Sequence, residues 1–242
     1  MAAARGAKPT HMRSLAAHVI SEEEPAMLDC HSRKATGEGR ALVSKVLNQL
    51  CSGRGQRKQD MLARKLEKPL SERELRDALS DMYGGADRAW VGSYSELRKT
   101  LDAHHGDMRE WLSTVPAHAA IILHRWKPTY GHWTCCFLQP NGDLQLFDST
   151  AAEPDSLRAS QSAKEARALG QDKAAVVAAL RGVPAHYNDY KFQADDSQTC
   201  GRWCLLRIAL PNLSEDEFAR IVRGLATGLG VTPDLVAIAA TS

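Results

Sequence analysis

Gln193-Ala-Asp-Asp-Ser-Gln-Thr-Cys200-Gly-Arg-Trp-Cys204 sets one cysteine between a polar loop and an apolar run. From Gly201 onward the run Arg-Trp-Cys-Leu-Leu-Arg-Ile-Ala-Leu contains neither Gly nor Pro. Trp203, Cys204 and Ile208 follow Cys200 at i+3, i+4 and i+8, the spacing of one helix face. Cys200 is therefore expected in the first turn of a buried helix, where unpaired N–H groups and the positive end of the helix dipole favour an anion. The anion a cysteine supplies is the thiolate, which is also its nucleophilic form. A free thiol is mostly protonated at neutral pH, so a nucleophile at this place needs a basic partner.

Such a partner stands at Gly131-His132-Trp133, followed by the β-prone run Thr-Cys-Cys-Phe-Leu and then by Asp143-Leu-Gln-Leu-Phe-Asp148-Ser149. Residues 132–138 and 143–148 read as two strands, and Pro-Asn-Gly142 between them is a hairpin turn signal. His132 then lies at the start of one strand and Asp148 at the end of the next. A hairpin brings such positions side by side, so the carboxylate fixes the imidazole tautomer while the other ring nitrogen is free to face a thiol.

The ordered set His132-Trp133, Asp148, Gln193 and Cys200-Gly201 resembles the cysteine proteases of the adenovirus-protease and SUMO-protease superfamily. The acid being Asp is similar to the SUMO proteases, and Gln193 lying seven residues before Cys200 is similar to the adenovirus spacing. Tyr187-Asn-Asp-Tyr-Lys-Phe-Gln193, leading to Thr199-Cys-Gly-Arg-Trp203, is similar to adenovirus-like (adenain-like) proteases of large DNA viruses, virophages and related mobile elements. The resemblance extends over residues 70 to 225. It implies an adenain-like fold and a catalytic set of Cys200, His132 and Asp148, with Gln193 in the oxyanion hole. It also implies Trp133 and Gly201 beside the substrate, cleavage after Gly in protein substrates, and virion maturation as the setting. Deconjugation of a ubiquitin-like modifier uses the same chemistry and is the rival within the enzyme class. Gln198 offers a competing amide, although a residue two before the nucleophile points along the loop, which favours Gln193.

The 242 residues exceed one typical domain by a modest margin. Residues 1–69 read as a basic, partly disordered extension with a short helix over Ala41–Leu50, and residues 70–242 as the protease domain. The first 70 residues hold 13 of the 31 Lys and Arg but only 7 of the 29 Asp and Glu. Nonspecific DNA binding by this arm is a reading its charge allows, because basic residues on a flexible segment release counterions from a phosphate backbone. Six cysteines are too sparse for a disulfide scaffold, and adjacent Cys135 and Cys136 should face opposite sides of their strand, which suggests reduced thiols in an intracellular protein. The first residues lack an apolar core of signal-peptide length and no stretch nears 18 apolar residues, so neither secretion nor membrane spanning is expected. A monomer without cofactor or metal is expected.

Elsewhere Ser71 and Glu74 form a capping box opening a helix through Met82, which Gly84-Gly85 stops. Residues 93–101 and 108–112 read as helical, 119–124 as a fully buried strand, and 163–180 as an Ala-rich helix despite Gly170. Residues 185–190 read as a strand, with helices over 214–223 and 233–240 closing the pattern. The expected class is α+β, a short mixed central sheet flanked by helices on both sides. A zinc-stabilised nucleic-acid-binding protein is the alternative from another class, with His132, Cys135 or Cys136, Cys200 and Cys204 as ligands. His104, His105, His118, His124 and His186 receive no role. Met82-Tyr-Gly-Gly-Ala86 resembles a Gly-Gly cleavage site, so self-processing after Gly85 competes with a plain helix stop.

Overall fold

The structure is a computed structural model and describes residues 37–51, 56–85, 88–128, 130–180 and 182–242. Five short strands form one open sheet in the order β1 (Trp90–Ser93), β2 (Ala119–Lys127), β3 (Tyr130–Leu138), β4 (Leu144–Phe147) and β5 (Ala185–Tyr187). β2, β3 and β4 make an antiparallel meander, and β1 and β5 pair parallel at its two edges. The class is α+β with a short mixed sheet.

Helices cover both faces of the sheet, which is why β2 begins as an unbroken apolar run rather than an alternating one. One face packs against α1 (Gly37–Cys51), α3 (Glu72–Tyr83), α8 (Cys200–Ile208), α9 (Glu215–Leu229) and α10 (Pro233–Ala240), through Leu75, Ile121, Phe137, Trp203, Phe218 and Val236. The other packs against α4 (Tyr94–Ala103), α5 (Met108–Thr114) and α7 (Ala175–Ala179), through Tyr94, Leu112, Ile122 and Val176. Cys135 and Cys136 fall in different clusters, as alternation along β3 requires.

The Ser71–Glu74 capping box forms as its spacing predicts, and Ser93–Glu96, Ser162–Glu165 and Ser214–Glu217 repeat it at α4, α6 (Ala163–Ala168) and α9. Each cap stabilises its helix by about 1 kcal/mol. Gly84 takes the left-handed conformation (φ 71°) and caps α3, its N–H donating to the Ser80 carbonyl. Ala86, on the far side of the bond considered for self-cleavage, lies outside the described residues.

The structure adds to or departs from the sequence reading in four places. The 163–180 helix is broken into α6 and α7, because Gly170 turns left-handed (φ 67°) and packs so closely that a Cβ there would lie 2.8 Å from Ser95 Cβ. Strand β1 is too short, and too close to the Ser93 cap, to register as a periodic run. β5 ends at Tyr187, where Asn188 turns the chain with side-chain hydrogen bonds. The boundary at residue 69 does not bound the packed body. In α1, Leu42 and Val46 belong to the same core as Val236 and Ala237 of α10, and Lys65 at the end of α2 (Gln56–Glu67) donates to Ser242 Oγ at 2.8 Å. Residues 1–36 and 52–55, which carry much of the basic arm, lie outside the described residues. No single helix among the described residues is long and apolar enough to cross a membrane.

Candidate active site

The β3–β4 ladder ends with the pair Cys135–Phe147, so Asp148 and His132 emerge together just beyond it. His132 Nε2 lies 2.9 Å from Asp148 Oδ1, and both residues are buried. Oδ1 of Asp148 also accepts from the Thr150 backbone N–H at 2.7 Å and its hydroxyl at 2.6 Å. Asn188 clamps the backbone behind it, accepting from the Asp148 N–H at 2.8 Å and donating to the Asp148 carbonyl at 2.7 Å and the Tyr190 carbonyl at 2.9 Å. The sequence reading gave Asn188 no role.

Cys200 opens α8, as its spacing predicts, and its sulfur sits close enough to His132 to help hold a proton on the imidazole. Burial alone drives the His132 pKa down. Hydrogen bonds to Asp148 and Cys200, with the charges those groups carry, overcome it and push it up to about 10. At Asp148 burial acts upward, but the His132 and Thr150 hydrogen bonds hold the carboxyl below its ordinary range. The neighbouring thiols differ in kind. Burial pushes Cys136 up, and burial together with Cys135 pushes Cys204 well up, so both stay protonated packing groups. His124 faces His132 across the β2–β3 ladder, and burial followed by the His132 charge takes it down to about 4.

No side chain caps the N-terminus of α8 among the described residues; the Arg202 and Trp203 N–H groups donate to the Thr199 carbonyl at 2.9 and 3.0 Å, and the Cys200 and Gly201 N–H groups stand ahead of them without a side-chain cap. Gly201 lets α3 and its lead-in approach. A Cβ there would stand 3.2 Å from Leu70 Cβ, 3.3 Å from Leu75 Cδ2 and 3.4 Å from Trp133 Cδ1. The Trp133 indole N–H donates to the Leu70 carbonyl at 3.0 Å, and the ring is 4% exposed. Trp133 and Gly201, expected beside the substrate, thus make internal contacts with the segment joining α2 to α3. The last turn of the helix before that segment, Gln56–Glu67, receives the Gln198 N–H at the Leu66 carbonyl, 2.7 Å away.

The two candidate amides stand differently. Gln193 is buried, with its Oε1 accepting from Ser149 Oγ at 2.7 Å and its Nε2 donating to the Ser197 carbonyl at 2.8 Å, which leaves a second N–H. Ser149, directly after Asp148, also accepts the Phe192 and Gln193 backbone N–H groups at 2.9 Å each, tying the acid's loop to the amide's loop. Gln198 turns outward and accepts from the Tyr130 hydroxyl at 3.0 Å. The loop between Gln193 and Cys200 hangs from one buried carboxylate that the sequence did not reveal. Asp234, in the first turn of α10, accepts from the Ala194 N–H at 3.0 Å, the Trp203 indole at 2.8 Å and the Thr199 hydroxyl.

The set considered for zinc is dispersed. The Cys136 thiol points at Met108 Sδ in the opposite cluster, the Cys135 thiol at the Cys204 carbonyl, and no three His, Cys, Asp or Glu among the described residues are grouped to hold a metal.

No family model matches the chain. It is 33% identical over 123 residues, 49% of this chain and 70% of the relative, to a protein of the Sputnik virophage described as uncharacterized protein V9.

Proposed function

We propose that this chain, which belongs to the same family as uncharacterized protein V9 of the Sputnik virophage, is a cysteine endopeptidase. The observation that carries the proposal is the buried Asp148–His132 hydrogen bond standing beside a cysteine at the uncapped start of α8. His132 holds the proton taken from Cys200, and the sulfur attacks the scissile carbonyl carbon. The oxyanion is met by the free N–H of Gln193 and the backbone N–H groups at the start of α8. Collapse of the tetrahedral intermediate moves the proton from His132 to the departing nitrogen and leaves a thioester. Water, deprotonated by His132, hydrolyses that ester and restores the thiol. Asp148 keeps Nε2 occupied throughout, so the other ring nitrogen serves the reaction.

The resemblance supports an adenain-like fold, cleavage after Gly and precursor processing in a virus or virus-like element, and a virophage relative is in keeping with that setting. The test is labelling of the full chain by a Gly-terminated electrophilic peptide, with Cys200→Ala as control. Modification at Cys200 that is absent from the control is expected. Labelling of another cysteine, or none, refutes the proposal. A panel of capsid-precursor peptides against modifier C-termini then separates maturation from deconjugation.

A further inference from the structure

The pairing of β2 with β3 slips between Arg125 and Lys127, a bulge that takes Trp126 out of the ladder two residues after His124. Bulges beside active sites re-aim a side chain, and this one is held firmly. The Gln171 side chain accepts from the Arg125 N–H at 2.8 Å and donates to its carbonyl at 2.8 Å, and Gln161 donates to the same carbonyl. Opposite the bulge, Gly131 lies so close that a Cβ would fall 2.1 Å from the His124 carbonyl oxygen, so only glycine permits the bend. The result is an exposed aromatic pair at the rim of the site. Trp126 stacks on His132 at 6.3 Å and 17° between planes, and Tyr130 lies 5.4 Å from Trp126 and donates to Gln198, two residues before the nucleophile. Their exposures of 36% and 38% leave large apolar surface facing solvent, although Trp133 close by is buried.

Resting on the protease reading above, we infer that Trp126 and Tyr130 form the subsite for the substrate residue on the leaving side of the scissile bond, and that this subsite selects an apolar or aromatic side chain. His132 must reach the departing nitrogen to protonate it, so the leaving chain passes over the imidazole. What stands exposed against the imidazole is Trp126, with Tyr130 continuing the surface toward the nucleophile's loop. A ring shelf whose single hydroxyl is already engaged by Gln198 gains chiefly by covering apolar surface.

The test uses the full chain carrying Cys200→Ala and fluorescein-labelled peptides Gly-Gly-Xaa extended on both sides, with Xaa as Phe, Leu, Ala or Asp, read by anisotropy. Phe and Leu peptides are expected to bind on the order of tenfold more tightly than Asp peptides, the scale of partial burial of one apolar side chain. Adding Trp126→Ala or Tyr130→Ala should bring the ratio to within about twofold, on the same scale. Trp126→Phe should keep the ranking, and urea midpoints confirm that each variant is folded. No peptide binding, or an unchanged ranking in the two alanine variants, overturns the subsite. Cleavage of internally quenched forms by the Cys200 chain is scored separately. Ranked binding without cleavage defeats the protease reading and leaves the shelf, whereas cleavage with an unchanged ranking defeats the shelf alone.

Discussion

Asp234→Asn is expected to loosen the nucleophile's loop with almost no change in volume. Oδ1 takes the Thr199 hydroxyl and the Trp203 indole N–H, and Oδ2 takes the Ala194 N–H. Whichever way an amide is turned, its NH₂ meets either the indole N–H or the Ala194 N–H as a second donor. The indole is fully buried, so the amide oxygen stays with it and Ala194 loses its acceptor. Losing that hydrogen bond costs about 1 kcal/mol, and replacing two charge-assisted bonds by neutral ones costs about 1 kcal/mol each. Together these give roughly 2 to 4 kcal/mol, measurable in urea through Trp fluorescence with the m-value checked for two-state behaviour. Alkylation of Cys200 by the Gly-terminated probe should slow as well, on the order of ten- to a hundredfold, because Thr199 positions the first turn of α8. A variant within about 1 kcal/mol of the unchanged chain, the worth of a single neutral bond, would show that Asp234 does not hold this loop together.

Asp148→Asn keeps an oxygen that accepts from His132 Nε2 but removes the negative charge that holds the His132 proton, so the alkaline limb of the pH–rate profile, expected near pH 10, should move down. His132 gains its partners on folding, so its contribution to stability is full below pH 6.5 and is lost as the pH rises through about 10. Urea midpoints of the two chains should therefore converge over that window. Gln193→Ala should lower kcat on the order of 10²- to 10³-fold while Gln198→Ala changes it little, and the reverse result transfers the oxyanion role to Gln198. Gly201→Ala sets a methyl 3.2 to 3.4 Å from Leu70, Leu75 and Trp133, and the overpacking cost of about 1–3 kcal/mol, offset by about 1 kcal/mol of helix propensity, should leave a modestly lower Tm. A raised Tm would mean that the contact yields without strain.

What could be read from the sequence was local, and what could not was joined across the chain. The thiol at the start of α8 follows from i+3 and i+4 spacing, and the His132–Asp148 pair from a hairpin turn of known geometry. Ser71–Glu74 follows from one short motif. Asp234 carries no such mark, because its partners at Ala194, Thr199 and Trp203 lie 31 to 40 residues away and meet it only when α10 docks. The Asn188 side chain bonds to distant backbone groups and the Ser149 carbonyl takes the Phe192 and Gln193 N–H groups, pairings that leave no trace in side-chain periodicity. Trp126 lies two residues beyond the strand expected over 119–124, and only the observed register shows that β2 runs on to Lys127 and that Trp126 leaves its ladder. The break at Gly170 was signalled by the residue itself, but the Ala-rich composition on either side argued for continuity.

The docking of α1 and α2 on α10 also fixes an order of events during folding. Gln49 and Lys65 reach Ser242 across separations of 193 and 177 residues, so these early helices have no finished surface to settle on while the middle of the chain is being made. Contacts of that span raise contact order and come late, after the loop-closure entropy of the intervening chain has been overcome. The helix they wait for is the one that brings Asp234 to the nucleophile's loop. On a ribosome the Cys200 loop therefore emerges before the carboxylate that clamps it, and stays unclamped until α10 has been made.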